Sequence, residues 1–232
     1  MNNPTPATSR ADELAVSIPT AWDALTDVQL RYVCALMAEA FHPDEIKALL
    51  ILRQVPPRRL DEVSPEAVAE ALPLLDWLDE LPAGPIRPAT LCGREAVHPL
   101  LAGVPFRDYL SAENYYQGYL MSHEPEALQA LAGVLYPGTT RTLTPTAHHL
   151  LLLWMAGLKQ AYTGLFPDLF SRAPTSDEVP DLREIMNAEI RALTGGDITK
   201  LEAVLSADTL DALTELNAKA REAREIEKLN KH

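Results

Sequence analysis

Apolar residues recur along this chain at helical spacing, in stretches separated by prolines and glycines. Leu30, Val33, Cys34 and Met37 stand at i, i+3, i+4 and i+7 and predict a helix over residues 27–40. Thr26 and Gln29 mark its start in capping-box spacing, with Leu25 and Leu30 set as a hydrophobic staple across it. A second helix follows His42-Pro43 through Ile46, Leu49, Leu50 and Leu52, and Pro56-Pro57, which lack amide donors, stop it. Ser64-Pro65-Glu66 supplies an N-cap, a proline at the first helical position and an acid in the first turn of a third helix. At Pro73 that helix either kinks or gives way to a new one, and Leu74, Leu75, Leu78 and Leu81 continue the apolar stripe.

From Pro82 to Pro105 the pattern changes. Pro82, Pro85, Pro88, Pro99 and Pro105, with Gly84, Gly93 and Gly103, predict an irregular connector, with room for short edge strands around Ile86 and Val97 as a small hairpin. Helical spacing resumes after Phe106 in a segment that carries Tyr109, Tyr115, Tyr116 and Tyr119. Here Tyr109, Tyr116 and Leu120 are expected to face the core while Tyr115 and Tyr119 cover the connector. Glu124-Pro125-Glu126 opens a helix that Pro137-Gly138 ends, and Thr144-Pro145 opens another that contains the most apolar run of the chain, residues 150–158. A helix apolar on most of its circumference belongs in the middle of a bundle.

Residues 165–180, with Pro167, Pro174 and Pro180, read as a linker. A helix over 181–193 follows, ended by Gly195-Gly196. Thr199 and Glu202 then stand in capping-box spacing before a short helix, and a longer last helix begins near Ser206. Its apolar positions, Leu213, Leu216, Ala220, Ala223, Ile226 and Leu229, thin to alanine in the middle, so it either docks lightly or waits for a partner's apolar face. Residues 1–17 are polar and without periodicity and read as a flexible arm. The pattern as a whole predicts an all-α, irregular bundle of about six or seven helices. Residues 18–164 form its body, 82–105 the proline-rich connector and 181–232 a helical appendage.

Composition narrows the function classes. The chain of 232 residues has 33 acidic against 20 basic side chains, a net charge of −13, which disfavours nucleic acid as a direct ligand. The acids concentrate in one place: Asp61, Glu62, Glu66, Glu70, Asp76, Asp79 and Glu80 lie between Leu60 and Pro82 with no base among them. Two cysteines far apart, Cys34 and Cys92, suit a reducing cytoplasm and offer neither a disulfide framework nor metal-ligand spacing. Residues 150–158 fall short of the ~18–20 that a membrane span needs. The first ten residues have no apolar stretch of the kind a secretory signal carries, so a cytoplasmic protein is expected.

Candidate chemistry is sparse. No phosphate-cradling glycine loop follows a strand, and no Gly-x-Ser-x-Gly elbow is present. Glu95 and His98 have the E-x-x-H spacing that supplies metal ligands in helical bundles, but the pair occurs once and in the connector. With Glu113 it defines the alternative reading, a metal-dependent helical-bundle enzyme. Cys92 with His98 could be a nucleophile and base only if the connector brings them together. Cys34 lies within an apolar stripe and reads as a core residue. His148 and His149, adjacent near the start of a helix, point to different sides. The expectation is a protein without catalytic residues, metal or cofactor that works by binding another protein. Tyr115 and Tyr119 on the tyrosine helix, and Leu213, Leu216, Ala220 and Ala223 on the last helix, are its candidate contact residues.

Two segments carry a resemblance. Residues 186–197, MNAEIRALTGGD, with Leu213-Thr214-Glu215-Leu216-Asn217, and the stretch PFRDYLSAENYYQG that begins at Pro105, resemble acidic helical proteins of bacteriophage and prophage tail-gene clusters, the tail-assembly chaperone-like morphogenesis proteins. The resemblance implies a non-enzymatic assembly factor that binds a structural protein, such as a tape-measure chain, through helical surfaces. A structural virion component is the variant of that reading in which the protein stays in the particle. No site residue carries over from it.

Overall fold

In the computed structural model, which describes residues 18–170 and 182–230, the chain is all-α, with one two-stranded hairpin. The expected arm at 1–17 and most of the expected linker lie outside the described residues. Among the described residues, seven helices have eleven residues or more: α1 (Asp27–Ala38), α2 (Pro43–Gln54), α4 (Phe106–Ser122), α5 (Pro125–Leu135), α6 (Pro145–Leu165), α8 (Leu182–Thr194) and α10 (Thr209–Leu229). Shorter ones are α3 (Pro65–Ala71), α7 (Pro167–Phe170) and α9 (Leu201–Ser206).

The predicted starts are realised by the predicted atoms. Thr26 and Gln29 close the capping box of α1, and the hydroxyls of Ser64 and Thr144 accept from Ala67 N and Ala147 N at the starts of α3 and α6. At Pro73 neither expected outcome occurs in full. Residues Leu72–Asp79 tighten into 3-10 turns broken at Leu75, so Leu75 and Leu78 are buried while Leu74 and Leu81 face solvent. Of the tyrosine helix, Tyr109 and Tyr116 are buried as expected, whereas Leu120 is exposed near the helix end.

Helix α6 is the hub. Leu150, Leu151, Trp154, Met155, Leu158 and Tyr162 are buried in one contiguous core with α1, α4 and α5. The connector is laid directly on it: a Cβ at Gly157 would stand 2.0 Å from the Gly84 carbonyl oxygen, so only glycine lets the two backbones meet. Prolines remove amide donors but leave carbonyl acceptors, and here buried aromatic side chains supply the missing donors. Trp154 Nε1 donates to Pro99 O (3.0 Å), Tyr162 Oη to Leu100 O (2.9 Å) and Tyr136 Oη to Pro88 O (2.9 Å). The connector's hairpin pairs β1 (Thr90–Leu91) with β2 (Arg94–Glu95) across the turn at Cys92-Gly93, between the two places the sequence suggested.

Leu165 and Pro167–Phe170 are helical rather than part of a linker, because α6 continues to Leu165 and α7 follows after Phe166 alone. Asn217 Oδ1 accepts from Asp168 N (2.8 Å) and Leu169 N (3.1 Å), and Arg224 pairs with Asp168 (2.8 Å), which ties α10 along α7. The expected capping box at Thr199 is replaced by Asp197, whose carboxylate accepts from Thr199 N, while Glu202 reaches back to Arg107 at the start of α4 (2.8 Å). Asp208 caps α10, whose first residue is Thr209. The C-terminal segment is thus docked on the body, with Thr209 N and Oγ1 both donating to Val104 O.

Candidate functional site

The sharpest surface feature follows from how α1 hands over to α2. Ala40 adopts a left-handed backbone (φ 58°) past the end of α1. His42 then caps α2, its Nδ1 accepting from Asp44 N while the Glu45 carboxylate accepts from His42 N (2.8 Å). The tight turn leaves Phe41 37% exposed, beside an open groove of about 570 Å³ lined by Met37, Phe41, Pro43, Ile46, Leu78 and Asp79. The segments that build it, 37–47 and 76–80, carry six carboxylates (Glu39, Asp44, Glu45, Asp76, Asp79 and Glu80), all on exposed residues, against His42 and Lys47. Lys47 is buried, and its ammonium donates to Asp76 (2.9 Å) and Asp79 (2.6 Å). Those two hydrogen bonds, Asp79 first, hold the lysine's pKa above its ordinary value against the opposing effect of burial. The groove is apolar within an acidic surround.

A second cluster joins α4 to α6. Glu113 of α4 is buried; its Oε1 accepts from Lys159 Nζ of α6 and from Gln117 Nε2 (2.9 Å), while its Oε2 is buried with no hydrogen-bond partner. Burial pushes the Glu189 carboxyl of α8 up to about 7; the charge of Glu113 adds to the rise and Lys159 opposes it. Tyr109 is buried beside both acids, and its hydroxyl is pushed well above its ordinary value by burial, then by Glu113 and Glu189.

The residues singled out from sequence fall differently. Tyr115 and Tyr119 are half-buried and pack against the core, Tyr119 with its ring edge-on to His123. Leu213 and Leu216 are buried within this chain, so they are not free for a partner; α7, α4 and α8 all pack against α10 and claim its first half. Ala220 is half-buried and Ala223 exposed, toward the end of the helix where Ile226 and Leu229 are also exposed. Glu95 is exposed on β2 and His98 is exposed, its Nδ1 accepting from Leu100 N (3.2 Å), whereas Glu113 is taken by Lys159. The described residues bring no three His, Cys, Asp or Glu side chains together as a metal site. Burial raises the Cys34 thiol to about 12, with Arg31 opposing, which leaves it an inert core residue. His148 is lowered by burial and then by His149.

Sequence reasoning passed over the groove, because Phe41 belongs to neither neighbouring stripe, and over both charge clusters, because their members are far apart in the chain. The unbroken run of acids at 61–80 was the available signal for the first: the base that answers it is Lys47. Compared with known protein families, curated proteins and solved structures, the chain matches none.

Proposed function

We propose that this protein is a non-enzymatic interaction factor whose groove at 37–46 and 78–79 holds an amphipathic, basic segment of another protein. The observation that carries the reading is the open apolar groove itself, with Phe41 presented at its side and carboxylates on every segment that builds it. An apolar side chain of the partner fills the groove, and lysine or arginine on the same face meets Glu39, Asp44, Glu45 and Glu80. Asp76 and Asp79 are already engaged by Lys47, so they shape the wall more than they attract. A groove of this size supports affinity of roughly micromolar order, weakened by salt, which suits a partner held during assembly and then released. A tail-assembly chaperone-like role, with a long helical structural protein as client and action in the cytoplasm, is the specific form of this proposal.

A displayed library of random peptides tests it, selected on the wild-type protein and counter-selected on Phe41→Asp. The expected survivors carry apolar residues at i and i+3 or i+4 beside lysine or arginine. Their synthetic versions should lose about tenfold or more in affinity on Phe41→Asp and in high salt. Peptides that bind Phe41→Asp as well as wild type, or survivors without basic residues, would overturn the proposal.

A further inference from the structure

The turn that walls the groove beside Phe41 walls a second groove on its other side. Residues at i and i+3 of a 3-10 turn eclipse, so Trp77 and Glu80 fall together on one side while Leu78 and Asp79 fall elsewhere. Glu80 N donates to Trp77 O (3.3 Å) and closes that turn. Leu78 and Asp79 line the first groove; Trp77 and Glu80, with Trp22, Asp23, Leu81 and Pro85, line an open groove of about 330 Å³. Leu81 stands at its side with 69% of its surface exposed. The lining holds two exposed carboxylates, Asp23 and Glu80, and no lysine, arginine or histidine.

The two tryptophans decide what this second groove can take. Their rings meet edge to face, with centroids 5.3 Å apart and planes at 77°. Tryptophans in a cleft suit a proline-rich ligand when their N–H groups are free to meet its unpaired carbonyls. Here both donors are spent within the chain: Trp22 Nε1 donates to Glu80 O (2.9 Å) and Trp77 Nε1 to Pro19 O (3.1 Å). The same two bonds hold the rings in place before any ligand arrives, which lowers the cost of binding. What is left for a ligand is ring surface, the Leu81 side chain and negative charge. That matches an aliphatic side chain with a lysine or arginine beside it, the chemistry already required at the first groove.

We propose that the partner seated in the first groove is a helix that continues across the 77–80 turn and places a further apolar side chain against Trp77 and Leu81. This contact rests on the reading of the first groove as the site of an amphipathic, basic segment. The width of one turn with its side chains, about 10 Å, separates the two grooves, and residues i and i+7 of an α-helix lie about that far apart on one face. The partner therefore carries apolar residues at i, i+3 or i+4, and i+7, the anchor pattern of a helix lying in a groove. Basic residues between them face Glu39, Asp44 and Glu45 on one side of the turn and Asp23 and Glu80 on the other.

Peptides selected on the wild-type protein from a random library without tryptophan test the second contact, because the protein's own tryptophans report on it. Trp22 and Trp77 line the second groove, and Trp154, the third, is wholly buried in the core. Binding should shift tryptophan emission to shorter wavelength as a peptide side chain displaces water from the half-buried Trp77. Alanine in place of the peptide's i+7 residue should abolish that shift and weaken binding about tenfold. Leu81→Asp, a change at an exposed position, should weaken the parent peptide about tenfold and leave the alanine peptide no weaker than it is on wild type. Binding lost on Phe41→Asp but indifferent to Leu81→Asp and to alanine at i+7 would overturn the second contact and leave the first groove's reading in place. Peptides indifferent to Phe41→Asp, or a selection without survivors, would overturn both.

Discussion

Among the described residues, Lys47 and Lys159 each act on two carboxylates, in arrangements built in opposite senses. Around Lys47 the cation is buried, its side chain 4% exposed, while Asp76 and Asp79 are 69% and 51% exposed. Around Lys159 the cation is 42% exposed and the buried partner is the acid, Glu113, at 11%, while a second acid, the half-buried Glu189, is raised by burial and then by the charge of Glu113. In the first arrangement the two like charges repel through solvent, and each bonds the ammonium directly. In the second the charge of Glu113 acts on Glu189 where solvent screens it less, and Glu113 is the acid bonded to the lysine. The same three charges therefore give a strut whose lysine holds its proton more firmly in one place and an acid raised to about 7 in the other. What decides is which sign is buried.

The largest effect should come from breaking the strut on its acidic side. Asp76→Asn with Asp79→Asn leaves Lys47 buried with no anion, and a buried charge stripped of its partners costs about 3–5 kcal/mol. Urea unfolding at neutral pH should register that loss. A loss below about 1 kcal/mol would mean that the ammonium finds water once the aspartates are gone, and the contrast between the clusters would fail. The second cluster responds next. Lys159→Met leaves the buried Glu113 carboxylate without its cation, at a cost of about 1–3 kcal/mol. Urea unfolding at neutral pH checks the value, and a loss too small to measure would mean that the buried acid does not depend on its lysine.

The connector supplies a control outside either cluster. Gly157→Ala places a Cβ against the Gly84 backbone, which cannot yield as a flexible side chain would. Overpacking of that kind costs about 1–3 kcal/mol, or roughly 2–12 °C in Tm for a chain of this size. Calorimetry should show the loss without any dependence on pH between about 5 and 8, and a neutral outcome would mean that the connector does not rest on α6 as described.

Much of the architecture was legible in the residues because helix ends are local events. Thr26 with Gln29, Ser64-Pro65, Thr144-Pro145 and Gly195-Gly196 each signal a boundary within four residues, and each boundary is there. The readings that failed involve a choice between local options that only tertiary contacts settle. Glu202 had the spacing to cap its own helix but meets Arg107, and Leu213 and Leu216 had a stripe thin enough to be free but are covered by the body. The candidate sites were less legible still. Lys47 meets aspartates 29 and 32 residues away and Lys159 meets Glu113 at a separation of 46, distances at which spacing carries no signal. Composition showed that the acids at 61–80 lacked bases, but not that one lysine from α2 would be drawn beneath them.

The smallest effect is the one that most sharpens the comparison. Lys47→Met keeps the length and apolar character of the stem and removes the ammonium, leaving Asp76 and Asp79 without a partner. Because both are exposed, each recovers hydration where it stands, and the stability lost should be under about 1 kcal/mol. The lysine's pKa is raised above its ordinary 10.5, so its contribution is fully present below that value and is lost only as pH climbs past the raised one. The wild-type and Lys47→Met unfolding curves should therefore keep a constant separation from about pH 5 to pH 9. A separation that changes within that window would mean that an aspartate, rather than the lysine, carries the titration. The strut would then share the second cluster's behaviour, and the burial of the cation would no longer explain the difference between the two clusters.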